Sequence, residues 1–300
     1  MAYRLRRKGS LASGLARVVT REFEEARKEI GGRNNGRTEA VHEARKHVKK
    51  IRAILHVLEK ALGDNFRTHD RRLKAVGHQL SSLRDVDAEG ETMKAVRDHY
   101  PRLVTPSMFA GVCRGLAKQK RRTVARVHPD RLLQRVELEL RRDARSMPRH
   151  VRRSGRYRAL LAGLVRGYRR ARTAMDAVRA TPEDAGFHAW RRRVKDHWYH
   201  MRLLEELSVH AHARVGRLKR LETWLGDDHN LVILRTAIQN APARFGDERS
   251  TALVLGCIAK YSTLLRRRAL KLGQPLFARK PRVFRQSIDG WWRERGKTKK

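Results

Sequence analysis

Acidic side chains are scarce in this chain: 31 Asp plus Glu stand against 71 Lys plus Arg, a formal net charge of +40 over 300 residues. So much like charge works against compaction and predicts a polyanionic partner; DNA, RNA, an anionic membrane surface or an inorganic polyanion each satisfy it. The same shortage leaves few carboxylates from which to build a metal-dependent phosphotransferase site. Cys113 in "GVCRGLAK" and Cys257 in "LGCIAKYS" are the two cysteines, too few for a disulfide framework, and both read as small apolar residues in helices. Aromatic residues are 6% of the chain, so a platform for stacking nucleic-acid bases is not expected. No apolar run approaches membrane-spanning length, and "MAYRLRRKGSLASGLARVV" lacks the apolar core of a signal peptide; a soluble, cytoplasmic protein is expected. Also missing are a P-loop, G-x-G-x-x-G, G-x-S-x-G, a kinase signature and an EF-hand loop.

What is present favours helix. Gly and Pro are sparse at 21 and 8, whereas Leu, Ala, Arg, Glu and Lys abound, and 40% hydrophobic residues suffice for a core. Apolar residues recur at three- and four-residue spacing with no convincing period-two stretch. Helices are predicted near 10–31, 38–63, 66–88, 91–99, 106–128 and 130–146, then near 156–180, 183–208, 211–226, 229–241 and 247–272. Breaks fall at "GGRNNGR", Gly63-Asp64, Pro101, Pro106 and Pro129. "MPRHVRRSGR" (147–156) is the candidate linker, which divides the chain into a helical bundle over 1–150, a second over 151–273 and a basic tail over 274–300. Trp291 and Trp292 are positioned to dock that tail on the body.

The chain also repeats itself. His42-x-x-Arg45-Lys46-x-Val48-Lys49 aligns without a gap on His188-x-x-Arg191-Arg192-x-Val194-Lys195. "LSSLRDVD" then faces "LGDDHNLV", with Asp85 opposite Asn230, and Cys113 falls opposite Cys257. Each half thus reads as one bundle of a two-fold-like duplication. On a 100° helical wheel, Ala44, Val48, Ile51, Leu55, Leu58 and Leu62 share a core sector of about 80°. His42, Arg45, Lys46, Lys49, Arg52 and His56 fill an opposing sector of about 120°. In the second copy Trp190, Val194, Met201 and Leu204 form the stripe, and His188, Arg191, Arg192, Lys195, Tyr199 and Arg202 oppose it. Acids are scarce along these ridges, Glu43 being the only one in residues 42–58, and the ridge recurs, which points to a polyanion site rather than a solvated face. Arginine grips phosphate through a planar fork, lysine adds a point charge, and histidine is recruited to its cationic form by an anion. Asp85 and Asn230 are candidates to orient the ridge arginines from a neighbouring helix.

These duplicated segments, the "LRDVD" and "LGDDHN" turns and the run "RVKDHWYHMRLL" resemble the conserved histidine α-helical domain, the CHAD family, over roughly residues 5 to 280. The resemblance implies an all-α protein of two four-helix bundles related by pseudo-two-fold symmetry, with a basic groove between them. It further implies binding of inorganic polyphosphate, and association with polyphosphate granules in some members. Carried over residue by residue, the binding positions are His42, Arg45, Lys46, Lys49 and Arg52, with His188, Arg191, Arg192 and Lys195. The copies differ at Trp198, opposite Arg52, and at Asn230.

Other chemical-looking signals carry less. "VELELR" places Glu137, Glu139 and Arg141 in a spacing like the strand signature of triphosphate-tunnel hydrolases, but Leu133, Val136 and Leu140 set it in a helix. His210 and His212 of "HAHAR" point to different sides of a helix, so no metal site and no cofactor are expected. The expected activity is therefore non-catalytic binding of polyphosphate. The alternative is a sequence-nonspecific nucleic-acid-binding protein, although no RNP motif, zinc finger or helix-turn-helix is present.

Overall fold

In the computed structural model the described residues are 3–6, 9–32, 37–81, 85–125 and 129–294; of these, 37–38, 85–88, 120, 122–125 and 129 are described for the backbone alone. Among the described residues the fold is all helix with no strand. The elements are α1 (Leu11–Gly31), α2 (Arg37–Val57), α3 (Glu59–Leu62), α4 (Asp64–Ser81), α5 (Asp85–His99), α6 (Pro106–Ala125) and α7 (Pro129–Ser154). They continue as α8 (Tyr157–Ala180), α9 (Asp184–Arg202), α10 (Val209–Asn240), α11 (Glu248–Phe277) and α12 (Pro281–Glu294). A single 3₁₀ turn, Pro242–Arg244, joins α10 to α11.

The apolar stripes dictate the packing. Helix α1 lies against α2 and α7, and α4 closes the ring against α2 and α7. In the second half α8, α9, α10 and α11 pack in a ring of the same kind. One apolar core runs through both rings, because α2 packs directly on α8 and α9. A second core gathers α5 and α6 onto the C-terminal half of α10 and the N-terminal half of α11, around Met93, Leu234, Phe245 and Ile258. Cys257 is buried there and Cys113 is half-buried; both are free thiols. No described helix is long and apolar enough to cross a membrane.

Several boundaries differ from the sequence expectation, among them the end of α9 at Arg202 rather than 208 and the end of α11 at Phe277 rather than 272. The candidate linker is helical: α7 runs through Pro148 to Ser154, held by buried Met147 and Val151 on either side of the proline. The expected break inside "LGDDHN" is absent, and α10 passes straight through it. Its buried Asp228 accepts hydrogen bonds from Arg266 Nε (2.9 and 3.1 Å) and from the Ser262 hydroxyl, so the carboxylate clasps α11 instead of capping a helix end. Helix α2 stops at Val57, and Gly63, at φ +56°, turns the chain into α4. The tail folds as α12 against α8, where Trp292 stacks on Tyr157 at 4.6 Å and Tyr157 donates to Asp289 at 2.5 Å.

Where α8 crosses α2 the backbones nearly touch. A Cβ added at Gly163 would lie 1.7 Å from the Val57 carbonyl oxygen. Gly163→Ala is expected to destabilise the protein by about 3 kcal/mol or more through forced separation of the two rings. Thermal unfolding would show this as a Tm lower by roughly 5–10 °C.

Candidate functional site

Helices α2 and α9 bury the stripes the sequence marks: Ala44, Val48, Ile51 and Leu55 on one, Trp190, Val194 and Met201 on the other. Because both stripes enter one core, the opposite faces turn toward a shared groove of about 530 Å³. Helix α2 contributes His42, Arg45, Lys46, Lys49 and Lys50, and α9 contributes Arg191, Lys195, Trp198, Tyr199 and Arg202. Lys219, Glu222, His229, Asn230 and Ile233 of α10 form the floor and far wall, and Glu89 and Glu91 of α5 close the end. Eight Lys or Arg thus stand against three Glu.

The cations interact across the opening. Burial lowers Arg191 below the usual guanidinium range, Arg45 on the facing helix lowers it further, and Glu222 and Asp227 oppose. The Arg191 Nε–H meets no acceptor among the described residues. Burial likewise lowers Lys195, with Arg191 and Lys219 adding to the effect and Glu222 opposing it. Glu222, almost fully buried, accepts from Lys195 Nζ at 2.7 Å and from Lys219 Nζ at 3.0 Å. Burial alone would raise its pKa, but the two ammonium groups bring it down to about 2. Glu22 of α1 plays the same part behind α2, holding Lys50 at 3.0 Å and His47 at 2.6 Å. Trp198 lies under two of the cations, Lys219 Nζ at 4.7 Å and the Arg202 guanidinium at 5.1 Å from its ring centre. The Arg202 guanidinium also lies over Tyr3, whose hydroxyl donates to the Lys50 carbonyl at 3.0 Å and so ties the N-terminal segment to the groove wall.

The structure brings together His42, Arg45, Lys46, Lys49, Arg191, Lys195, Tyr199, Arg202 and Asn230. It leaves out several other predicted positions. Arg52 and His56 reach the other way, donating to Asp70 at 2.8 and 3.1 Å, because α4 covers the far end of α2. Arg192 sits at the edge of the ridge, exposed to solvent. His188 is one turn short of the groove and shares a hydrogen bond of 3.0 Å with His229, through which it borders the site. Asp85 begins α5, but its side chain lies outside the described residues. Tyr199 is buried, with burial and then Glu222 raising its pKa, so it serves as a neutral hydroxyl wall.

The sequence reading missed Lys50, Lys219, Glu222 and His229. The last three lie on α10, and a signal existed in their spacing: Lys219, Glu222, Gly226 and His229 fall on one helical face once "LGDDHN" is read as continuous helix. Of the unassigned motifs, Glu137 of "VELELR" accepts from Arg27 Nε and Nη2 at 3.0 and 2.9 Å, an ion pair between α7 and α1. His210 and His212 are exposed at the start of α10. Among the described residues no three His, Cys, Asp or Glu side chains are grouped to hold a metal ion.

Fold and groove define an all-helical protein with a deep cationic trough between two packed rings. The family model of the CHAD domain matches residues 17–239, and the chain belongs to that family. The crystal structure of the CHAD domain from the plant Ricinus communis is similar to it, with a TM-score of 0.63 and 14% identity, covering 93% of this chain and 96% of that one. That likeness is one of fold. No curated protein sequence matches.

The Glu222 clasp makes a prediction about stability. A carboxylate held near pKa 2 against an ordinary 4.5 stabilises the fold above pH 4.5, and that contribution is lost as pH falls toward 2. Glu222→Gln is therefore expected to lower stability by about 2–3 kcal/mol at pH 7. In thermal unfolding followed from pH 7 to 3, the gap between wild type and variant should narrow below pH 4.5.

Proposed function

We propose that the protein binds inorganic polyphosphate in this groove without chemical conversion of it, acting in the cytoplasm with association to polyphosphate granules. One observation carries the reading: the cationic faces of α2 and α9 line the same trough, with Arg45 and Arg191 electrostatically coupled across it. Family membership supports a polyphosphate-related role. Phosphates spaced along a flexible chain would meet arginine forks and lysine ammonium groups on both walls at once. They would also supply an acceptor for the Arg191 Nε–H, which meets none among the described residues.

Nucleic acid is the second reading, and the position of Trp198 disfavours it. Single strands bind proteins by combining phosphate contacts with base stacking on open aromatic faces. In this groove Lys219 and Arg202 already lie against the Trp198 ring, and Tyr199 is buried. A ligand of phosphates alone needs no ring. Catalysis is disfavoured by the acids themselves: Glu222 is engaged by two lysines, and Glu89 and Glu91 lie at the end of the trough. Incubation with labelled polyphosphate and Mg²⁺ or Mn²⁺ should leave chain length unchanged.

Calorimetric titration with polyphosphates of graded length tests the binding. Combined Arg45→Ala, Lys49→Ala and Arg191→Ala should weaken affinity about a hundredfold or more while far-ultraviolet circular dichroism stays unchanged. Full affinity in that variant would refute the groove. Neutralising six to ten phosphates should make affinity fall by about 10³–10⁵ between 50 and 200 mM salt. RNA winning at equal phosphate concentration would favour the second reading.

A pH dependence follows from the histidine pair. Burial, with Arg191, His188 and Arg192 adding, brings His229 down to about 4, and burial with Arg192 and Arg191 lowers His188. Both are neutral at pH 7 in the free protein. A bound polyanion favours their charged forms, so binding takes up protons and strengthens as pH falls from 7 toward 4. Titrations in buffers of different ionisation enthalpy should report the uptake, and combined His188→Gln and His229→Gln should reduce it.

A further inference from the structure

A second cavity of about 530 Å³ opens between α8, the start of α10, the end of α11 and α12. It shares no residue with the groove. Its α10 residues include Arg214 and Arg217, which lie nearer the start of that helix than Glu222 and His229 and about 100° around its axis from them. Helix α12 and the end of α11 also lie beyond the stretch matched by the family model.

Its chemistry centres on Arg214. The guanidinium lies 5.1 Å from the centre of the Phe284 ring and 5.4 Å from that of Tyr168, and these two rings stack on each other at 4.2 Å. Nη2 donates to the Leu276 carbonyl at 2.9 Å, but the Nε–H is shut away from water and meets no acceptor among the described residues. No carboxylate among the described residues pairs with Arg214, and burial brings its pKa down to about 10. A desolvated guanidinium with donors left over is a receptor for an anion. Arg217 and Arg279 stand beside it, both exposed, with Glu294 as the acid of the lining.

The cavity differs from the groove in its apolar side. Leu276 and Phe284 are buried in its wall, and Pro275 and Trp291 complete it. Trp198 is covered by cations and Trp292 stacks on Tyr157, whereas the half-buried Trp291 ring has no aromatic or cationic partner among the described residues. Bare phosphate would leave that ring and wall unused. We propose that the cavity is a binding site for a nucleoside di- or triphosphate, with its phosphates on Arg214, Arg217 and Arg279 and its base against Trp291. Its volume lies within the 300–1,000 Å³ range of roughly drug-sized ligand sites.

The test uses calorimetric titration with ATP, ADP, adenosine and inorganic tripolyphosphate. The groove variant carrying Arg45→Ala, Lys49→Ala and Arg191→Ala serves as a second background, which separates this site from the first. ATP should bind wild type, and the groove variant should retain one ATP per chain. On the groove variant ATP should bind tighter than tripolyphosphate. Combined Arg217→Ala and Arg279→Ala, both at exposed side chains, should weaken ATP about tenfold or more. Trp291→Ala should weaken ATP about five- to a hundredfold and leave tripolyphosphate unaffected. Three results would overturn the proposal: no ATP binding to wild type, ATP binding that disappears with the groove residues, or equal affinity for ATP and tripolyphosphate that Trp291→Ala does not change.

Discussion

Helices α2 and α9 must sink their apolar stripes into one core, and that constraint forces their cationic faces to look at each other. Neither helix can rotate to relieve the repulsion without exposing residues such as Ile51 or Trp190, each fully buried. Burying side chains of that size is worth about 1.5–3 kcal/mol apiece. Burial is the main cause of the lowered pKa values of Arg191 and Lys195, and the neighbouring cations add to it. Two buried glutamates hold it in check from behind, Glu22 against Lys50 and His47, and Glu222 against Lys195 and Lys219. The groove is therefore an arrangement of like charges held side by side by hydrophobic packing.

The join between the two rings shows how tightly this geometry is fixed. At Gly163 the α8 backbone meets that of α2, and a few residues further on His200 of α9 donates from Nε2 to the Ala53 carbonyl of α2 at 3.0 Å. Burial, with nearby cations adding, holds the His200 pKa at about 3, so the ring stays neutral and keeps that bond throughout the physiological range. The Tyr3 hydroxyl and the Leu5 N–H, which donates to the Leu203 carbonyl at 2.9 Å, tie the N-terminal segment across the same seam.

Much of this was legible because a 3.6-residue period converts sequence positions directly into faces. It separates Val48 from Lys49 and Val194 from Lys195 without knowledge of the fold. The period says nothing about what lies along the helix axis, which is why His56, on the correct face of α2, was misplaced: α4 covers that end and presents Asp70. Nor does it see a third helix. Lys219, Glu222 and His229 were hidden because Gly226, two aspartates and Asn230 look like a helix break, and only the tertiary clasp of Asp228 by Arg266 and Ser262 carries α10 through them. Pro148 misled in the same way, since burial of its neighbours outweighs the hydrogen bond a proline removes.

The placement of the few aromatic rings separates the two cation-lined cavities. A ring under a cation is already satisfied electrostatically, because the ammonium or guanidinium occupies the negative π face that a base would need. Trp198 is in that state, and in the groove it serves to position Lys219 and Arg202. Tyr168 and Phe284 do the same for Arg214 across the molecule. Among the Phe, Tyr and Trp rings lining either cavity, Trp291 alone has neither a cation nor another ring against it among the described residues, and its neighbours include cations without carboxylate partners. In a chain with this much positive charge, cations line both cavities; what distinguishes one from the other is whether a Trp ring free of ring and cation contacts stands beside them.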